Sequence, residues 1–335
     1  MLDSSDTNFN VALLDLLIRH QEYQTYDSLA SKLVCPVQLI CNDIDGLGAL
    51  GCRFEFHPQA GVRLVDYGLN TWSDYLRWRD EQPGRHIEIY EQTSSTQDVV
   101  RRLIHSRGRS ADGAVVIAND QTCGRGRLGR KWISLPGCSL LMSMARVMPG
   151  SSLGGDHLIL ITAMSVARAV EKLAPDLDVK IKWPNDIHVG GHKLAGILVE
   201  QFVVENGLVC AVVGVGVNVE LEAGDVSFEL LRLEQPLTSL KMLGQNVDRL
   251  LLAAEIIAQA EMIFQRRDDP RVLAEWKNRN TILGQSVALK CGEYDVSGQV
   301  VDLDPLQGLI VRSDDGSMLH LPGQTTTVVA IHGSA

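Results

Sequence analysis

The chain has 335 residues, 45% of them hydrophobic, with 31 Lys and Arg against 41 Asp and Glu for a formal net charge of -10. That length accommodates two or three domains of about 100 to 200 residues each, and the acidic balance excludes nonspecific attraction to nucleic acid or anionic membrane as the default role. No run approaches the ~18 apolar residues of a membrane span, and the acidic start Met1-Leu2-Asp3-Ser4-Ser5-Asp6 lacks the basic-then-apolar pattern of a secretory signal, so a cytoplasmic protein is expected.

Residues 8 to 20 put Val11, Leu14, Leu17 and Ile18 on one helical face. Asp27 suits the cap of a short helix ending at Leu33, and Pro36 suits the first turn of a third helix carrying Val37, Ile40, Ile44 and Leu47. Two β-prone runs follow, Cys52 to His57 and Gly61 to Val65. Three small helices and a hairpin read as a winged helix-turn-helix over residues 1–66. That segment holds four Lys and Arg against nine Asp and Glu, and its expected recognition helix has two aspartates and no cation. Phosphate neutralisation by Lys and Arg supplies much of a DNA reader's affinity, so operator DNA is disfavoured as a partner.

Residues 67 to 86 read as a connector leading into a second domain, 67–280. Its expected strands are Ile87 to Glu91, Ala114 to Asn119, Ser139 to Ala145, Val179 to Trp183, Ile187 to Val189, Lys193 to Val203 and Leu208 to Val217. Helices are expected over Thr96 to Ser106, capped by Ser94 or Ser95, then Asp156 to Leu173, Asp248 to Arg266 and Pro270 to Asn278, with a turn at Asn206-Gly207. The absence of regular βαβ alternation argues for an α+β fold with a mixed or largely antiparallel sheet. From about Thr281, short strands at close intervals (Ser286 to Lys290, Val296 to Leu303, Gly308 to Arg312, Met318 to Leu321) predict a small β-domain over 281–335.

The segment Gly124-Arg125-Gly126-Arg127-Leu128-Gly129-Arg130-Lys131-Trp132 sets four cations among three glycines in this acidic chain. Glycines bring backbone N–H groups close to a ligand, and guanidinium forks match carboxylate and phosphate oxygens, so this is an anion site. Residues 124 to 129 also satisfy Gly-x-Gly-x-x-Gly, but no helix opens there and no acidic residue appears until Asp156, which excludes a dinucleotide fingerprint. A second segment, Lys182-Trp183-Pro184-Asn185-Asp186, precedes Lys193-Leu194-Ala195-Gly196-Ile197-Leu198-Val199-Glu200, where a lysine opens an apolar strand. Seven scattered cysteines without a Cys-x-x-Cys pair predict reduced thiols and no zinc site, Cys123 being a small filler beside the loop. Trp183 is expected in the core, and His188 and His192 are expected at the surface.

Together these segments resemble the signature of the biotin protein ligases, and the likeness extends to Ser94-Ser95-Thr96-Gln97, Gln121, Gly214-Val215-Gly216-Val217-Asn218-Val219 and Leu237-Thr238-Ser239-Leu240. The resemblance implies an N-terminal winged helix, a central mixed-sheet catalytic domain of the biotin/lipoate ligase type and a C-terminal SH3-like small β-barrel. It implies a ligase that joins biotin to ATP as biotinyl-5'-AMP, with magnesium accompanying ATP, and passes biotin to a lysine of a biotin carboxyl carrier domain such as that of acetyl-CoA carboxylase.

By the same resemblance, Arg125, Gly126 and Arg127 line the biotin and phosphate side, and Lys193 contacts the reacting carboxylate or α-phosphate. Ser95, Thr96, Gln97 and Gln121 meet the ureido ring, Trp132 forms a wall, and Gly124, Gly129, Arg130 and Asn218 belong to the nucleotide-binding loop and its surroundings. Asp186 orients magnesium or helps deprotonate the acceptor lysine. The empty loop is expected to be mobile. Gln97 stands where the family commonly has asparagine, and Pro322-Gly323-Gln324, with no later arginine, replaces the usual Gly-Gly-Glu, leaving open the C-terminal contacts to the nucleotide. Rival readings are a lipoate or octanoate ligase or transferase and a biotin-sensing regulator; a homodimer is left open.

Overall fold

A computed structural model describes residues 9–148, 154–204, 207–225 and 236–332; the expected turn residue Asn206 lies outside them. The chain divides into two compact units, one ending at Glu91 and the other beginning at Gln92. No helix of the described residues is long and apolar enough to cross a membrane.

In the first unit α1 (Val11–Arg19), α2 (Tyr26–Leu33) and α3 (Val37–Ala49) precede a hairpin of β1 (Arg53–His57) and β2 (Gly61–Asp66). Helical spacing buries Leu13, Leu14, Leu17, Leu29, Ile40 and Leu47 together. Thr25, not Asp27, caps α2: its side chain accepts from Ser28 N at 3.2 Å, one of the N–H groups a helix start leaves free. The stretch read as a connector contains a further helix, α4 (Trp72–Arg79), which buries Trp72, Tyr75 and Leu76 and ties back to α1 through Tyr75 Oη donating to Asp15 Oδ1 at 2.5 Å. Strand β3 (Ile87–Thr93) carries the chain from one unit to the next.

The second unit is built on β4 (Val115–Gln121), β5 (Ser139–Met148), β6 (Val179–Lys182), β7 (Asp186–Val189), β8 (His192–Val203) and β9 (Val209–Asn218), hydrogen-bonded in the order β4-β5-β9-β8-β7-β6 with every pair antiparallel. α5 (Thr96–Arg107), α6 (Gly155–Leu173), α7 (Arg249–Gln265) and α8 (Pro270–Arg279) complete it. α6 is buried along most of its length, which suits a helix apolar on nearly all sides. Five strands follow, β10 (Ser286–Cys291), β11 (Tyr294–Asp304), β12 (Gly308–Ser313), β13 (Met318–Leu321) and β14 (Thr326–His332), in one antiparallel sheet ordered β13-β12-β11-β10-β14. The last of these was not anticipated.

Candidate functional site

The glycine-arginine segment leaves β4 and returns on itself. Trp132 N donates to Gly124 O at 3.0 Å, Gly126 N donates to Arg130 O at 2.8 Å, and Arg125 bridges Lys131 in antiparallel register. The tip is a short 3-10 turn, Arg127–Gly129, with Leu128 at φ 55° and Gly129 at φ 74°, both left-handed. The loop thus carries internal backbone bonds of its own. Its return arm places Trp132 flat on the sheet. A β-carbon at Gly216 would lie 2.6 Å from Trp132 Cε2, and one at Gly196 would lie 2.9 Å from Cζ3. The glycines of β8 and β9 are therefore the seat of an indole.

Around this seat lies a cavity of about 430 Å³. Ser95, Thr96, Gln97, Gln121, Arg125, Gly126, Arg127, Arg130, Trp132, Asp186, Lys193 and Asn218 all line it. Of the expected site residues only Gly124 and Gly129 do not; they shape the loop instead.

Part of the lining is polar and uncharged. Gln121 Oε1 accepts from Thr96 N at 2.7 Å and from Thr96 Oγ1 at 3.1 Å, so the cap of α5 comes from the end of β4, while Ser95 at the N-cap position makes no side-chain cap bond. Thr96 Oγ1 also meets Ser143 Oγ at 2.7 Å, and Gln97 Nε2 donates to Leu198 O at 3.0 Å. Two polar atoms of this wall, Gln97 Oε1 and Trp132 Nε1, are buried with no hydrogen-bond partner. Such atoms carry a desolvation cost until something meets them.

The lining is otherwise rich in cations: Arg125, Arg127, Arg130, Lys131, Lys182 and Lys193 share it with one carboxylate, Asp186. Arg125 Nη1 donates to Asp98 Oδ1 at 2.5 Å and Nη2 to Glu200 Oε2 at 3.3 Å. Burial works against its charge, but the Asp98 hydrogen bond and the Glu200 field prevail, and the net shift of the guanidinium is upward. Arg127 Nη1 donates to Asn185 Oδ1 at 3.0 Å, and Nη2 to the carbonyls of Gly323 and Thr326 at 2.5 and 2.8 Å. Burial pushes this guanidinium down from its ordinary value, with Asp186 and Asp156 opposing the shift.

Lys193 Nζ lies 2.7 Å from Asp186 Oδ1 and 5.8 Å from the Trp132 ring centre, so Asp186 stands here as a counter-ion. Asn218 Nδ2 donates to Thr238 O at 3.0 Å, and Thr238 N donates to Lys193 O at 2.9 Å, which fixes the start of β8. Trp183 is buried as expected, yet it also lines the cavity. His188 corrects the surface reading. It is 6% exposed, because β7 is covered on both faces, and Nδ1 donates to Gly191 O at 3.2 Å. His192 is exposed.

Sequence reasoning assigned no role to Lys182, Asn185 or Ser143. Lys182 was quoted within its motif; its pKa is lowered by burial, partly offset by Asp186 and reinforced by Lys193. Ser143 was detectable as a hydroxyl inside the apolar run of β5.

The sequence matches the Biotin/lipoate A/B protein ligase family over residues 89–218. The chain is 30% identical over 314 residues to the bifunctional ligase/repressor BirA of Salmonella typhimurium, covering 93% of this chain and 94% of that one. It is 32% identical over 258 residues to the biotin–[acetyl-CoA-carboxylase] ligase of Mycobacterium tuberculosis, covering 73% and 87% respectively. In fold it is similar to the biotin protein ligase of Aquifex aeolicus, solved with biotin and ATP, at a TM-score of 0.59 and 22% identity over 72% of this chain and 98% of that one. The chain belongs to the biotin/lipoate A/B protein ligase family.

Proposed function

We propose that the protein is a biotin protein ligase, forming biotinyl-5'-AMP and transferring biotin to a lysine of a carboxyl carrier domain. The observation that carries this reading is one cavity lined both by uncharged polar groups and by a cluster of cations, in a chain of net charge -10. A carboxylate oxygen attacks the α-phosphorus of ATP and pyrophosphate leaves; the amine of the acceptor lysine then attacks the acyl carbon and AMP leaves. Two anions meet in the first step, and fixed cations in the pocket offset their repulsion by several kcal/mol. Arg127 and Lys193 supply that compensation. Magnesium enters with the ATP phosphates: among the described residues there is no cluster of three or more His, Cys, Asp or Glu that could hold a metal by itself, and Asp186 is engaged by Lys193.

The uncharged polar groups of the lining favour biotin over lipoate. A ureido ring offers both N–H and C=O to Gln97 Oε1, Trp132 Nε1 and the Thr96–Ser143 hydroxyls, whereas a dithiolane ring would leave those groups unpaired. The name of the Mycobacterium relative supports the carrier domain of acetyl-CoA carboxylase as acceptor. We read residues 1–66, within the first unit, as a winged helix-turn-helix, residues 67–280 as the catalytic domain and the C-terminal sheet as an SH3-like barrel over 281–335, in a cytoplasmic protein. α3 carries Asp43 and Asp45 and no cation, so operator binding is disfavoured even though the Salmonella relative is named a repressor.

Incubation with ATP, magnesium, biotin and a carboxyl-carrier fragment, followed by a streptavidin blot, tests the reading. Wild-type protein is expected to label the carrier, and Lys193→Ala to lose adenylate formation by about a hundredfold or more. Stimulation of ATP–pyrophosphate exchange by lipoate but not biotin would overturn it.

A further inference from the structure

The turn between β13 and β14 reaches the cavity without offering it a charged side chain. Through Gly323 O and Thr326 O it supplies two of the three acceptors that hold the Arg127 guanidinium, and Asn185 supplies the third. Behind the turn, Gly323 N donates to Asp156 Oδ2 at 2.8 Å. Asp156 sits in the first turn of α6, and its other oxygen, Oδ1, is buried without a hydrogen-bond partner. The approach of the turn is as close as a backbone allows: a β-carbon on Gly323 would fall 2.9 Å from Asp156 Oδ1 and 3.1 Å from Pro184 Cβ.

Every hydrogen-bond acceptor of Arg127 is neutral, and among the described residues it has no ion pair. Its geometry is therefore fixed while no carboxylate is bonded to it, Asp186 and Asp156 acting on its charge only through their fields. A preorganised cation of this kind serves an anionic transition state better than one that must first break an ion pair.

We propose that the Pro322–Thr326 turn, with Asp156 behind it, is a positioning element by which the C-terminal sheet aims Arg127 at the reacting carboxylate and phosphate. The inference rests on the ligase reading above. It gives Asp156 and Gly323 a role as positioning residues that act through Arg127, and it assigns the Pro322-Gly323-Gln324 segment a task for its main chain.

The test is the lifetime of radiolabelled biotinyl-adenylate on the full-length protein, formed from biotin and ATP and then chased with unlabelled biotin and ATP. Asp156→Ala and Gly323→Ala are each expected to shorten that lifetime about tenfold, and Asp156→Asn, which keeps an acceptor for Gly323 N, to stay within about threefold of wild type. Combined with Arg127→Ala, which removes the aimed group, Asp156→Ala is expected to add less than about twofold, the signature of residues acting through one another. Losses that multiply in the double variant, or Asp156→Asn behaving like Asp156→Ala, would overturn the proposal. Should Asp156→Ala fail to fold, Gly323→Ala with and without Arg127→Ala carries the same comparison. A wild-type protein that forms no adenylate would instead remove the functional reading itself.

Discussion

Arg125 and Arg127 stand two residues apart in one loop and line one cavity, yet their surroundings are opposite. Arg125 touches two carboxylates, and one of them, Glu200, is shared with Arg101 at 3.4 Å, whose guanidinium lies 4.2 Å over the Phe202 ring. Burial is the largest influence on Asp98 and works against its charge, but the hydrogen bonds from Arg125 and Ser94, with the Arg125 and Arg102 charges, together outweigh it and hold the carboxyl below its usual range. Arg127 touches three neutral oxygens. A cation matched by carboxylates fixes chain geometry but presents little net charge; one held by dipoles has fixed geometry and a field left for a ligand. On this view Arg125 straps the loop to α5 and β8, and Arg127 meets the anions.

The largest effect that sharpens this contrast is expected from Arg127→Ala, which should shorten the life of the bound adenylate by about a hundredfold, the size found when one preorganised donor is removed. Arg127→Lys should recover little of it, because an ammonium cannot span Asn185 and two carbonyls with a planar fork. Release of labelled adenylate from a stopped reaction measures both. A smaller effect is expected from Asp98→Ala. Exposed or half-exposed ion pairs contribute about 0.2 to 1 kcal/mol, so adenylate lifetime should fall only a few-fold, while limited trypsin cleavage after the loop cations should speed up as the strap loosens. If Asp98→Ala damages retention as severely as Arg127→Ala, the division of labour between the two arginines fails.

Much of this site was legible in the sequence because it is written in side chains. Glycine-interleaved arginines, a lysine at the head of an apolar strand and a polar Ser-Thr-Gln cluster are unusual residue choices, and unusual choices carry local information. What was not legible depends on contacts between distant segments. Gln121 was read as a ligand-facing amide, and in the structure its oxygen also caps α5. Helix α4 was missed because Trp72, Tyr75 and Leu76 sit in a mixed-charge stretch whose apolar face has meaning only against α1. The hold of Gly323 and Thr326 on Arg127 spans nearly two hundred residues and is made by carbonyls, which every residue possesses, so no residue type announces it. Asp98 was not singled out in the sequence; only the fold brings Arg125 to it.

His188 supplies the gentlest test, since acidification adds a cation beside the carboxylate-paired set without touching Arg127. The ring is buried in β7, its Nε2 has no hydrogen-bond partner, and burial lowers its pKa from the ordinary 6.5, with Asp186 opposing and Lys182 reinforcing the shift. The unfolded chain therefore takes up the proton first. Between 6.5 and the lower folded value the unfolded state binds more protons than the native one, so stability contributed by this group is present above pH 6.5 and is lost as pH falls through that window. Thermal unfolding of the wild type should come a few degrees earlier at pH 5 than at pH 7.5, and His188→Gln, which cannot take a proton, should flatten part of that slope. An unchanged slope in His188→Gln would mean that the ring charges as readily inside the sheet as in water, and that Asp186 attracts a second cation as well as Lys193.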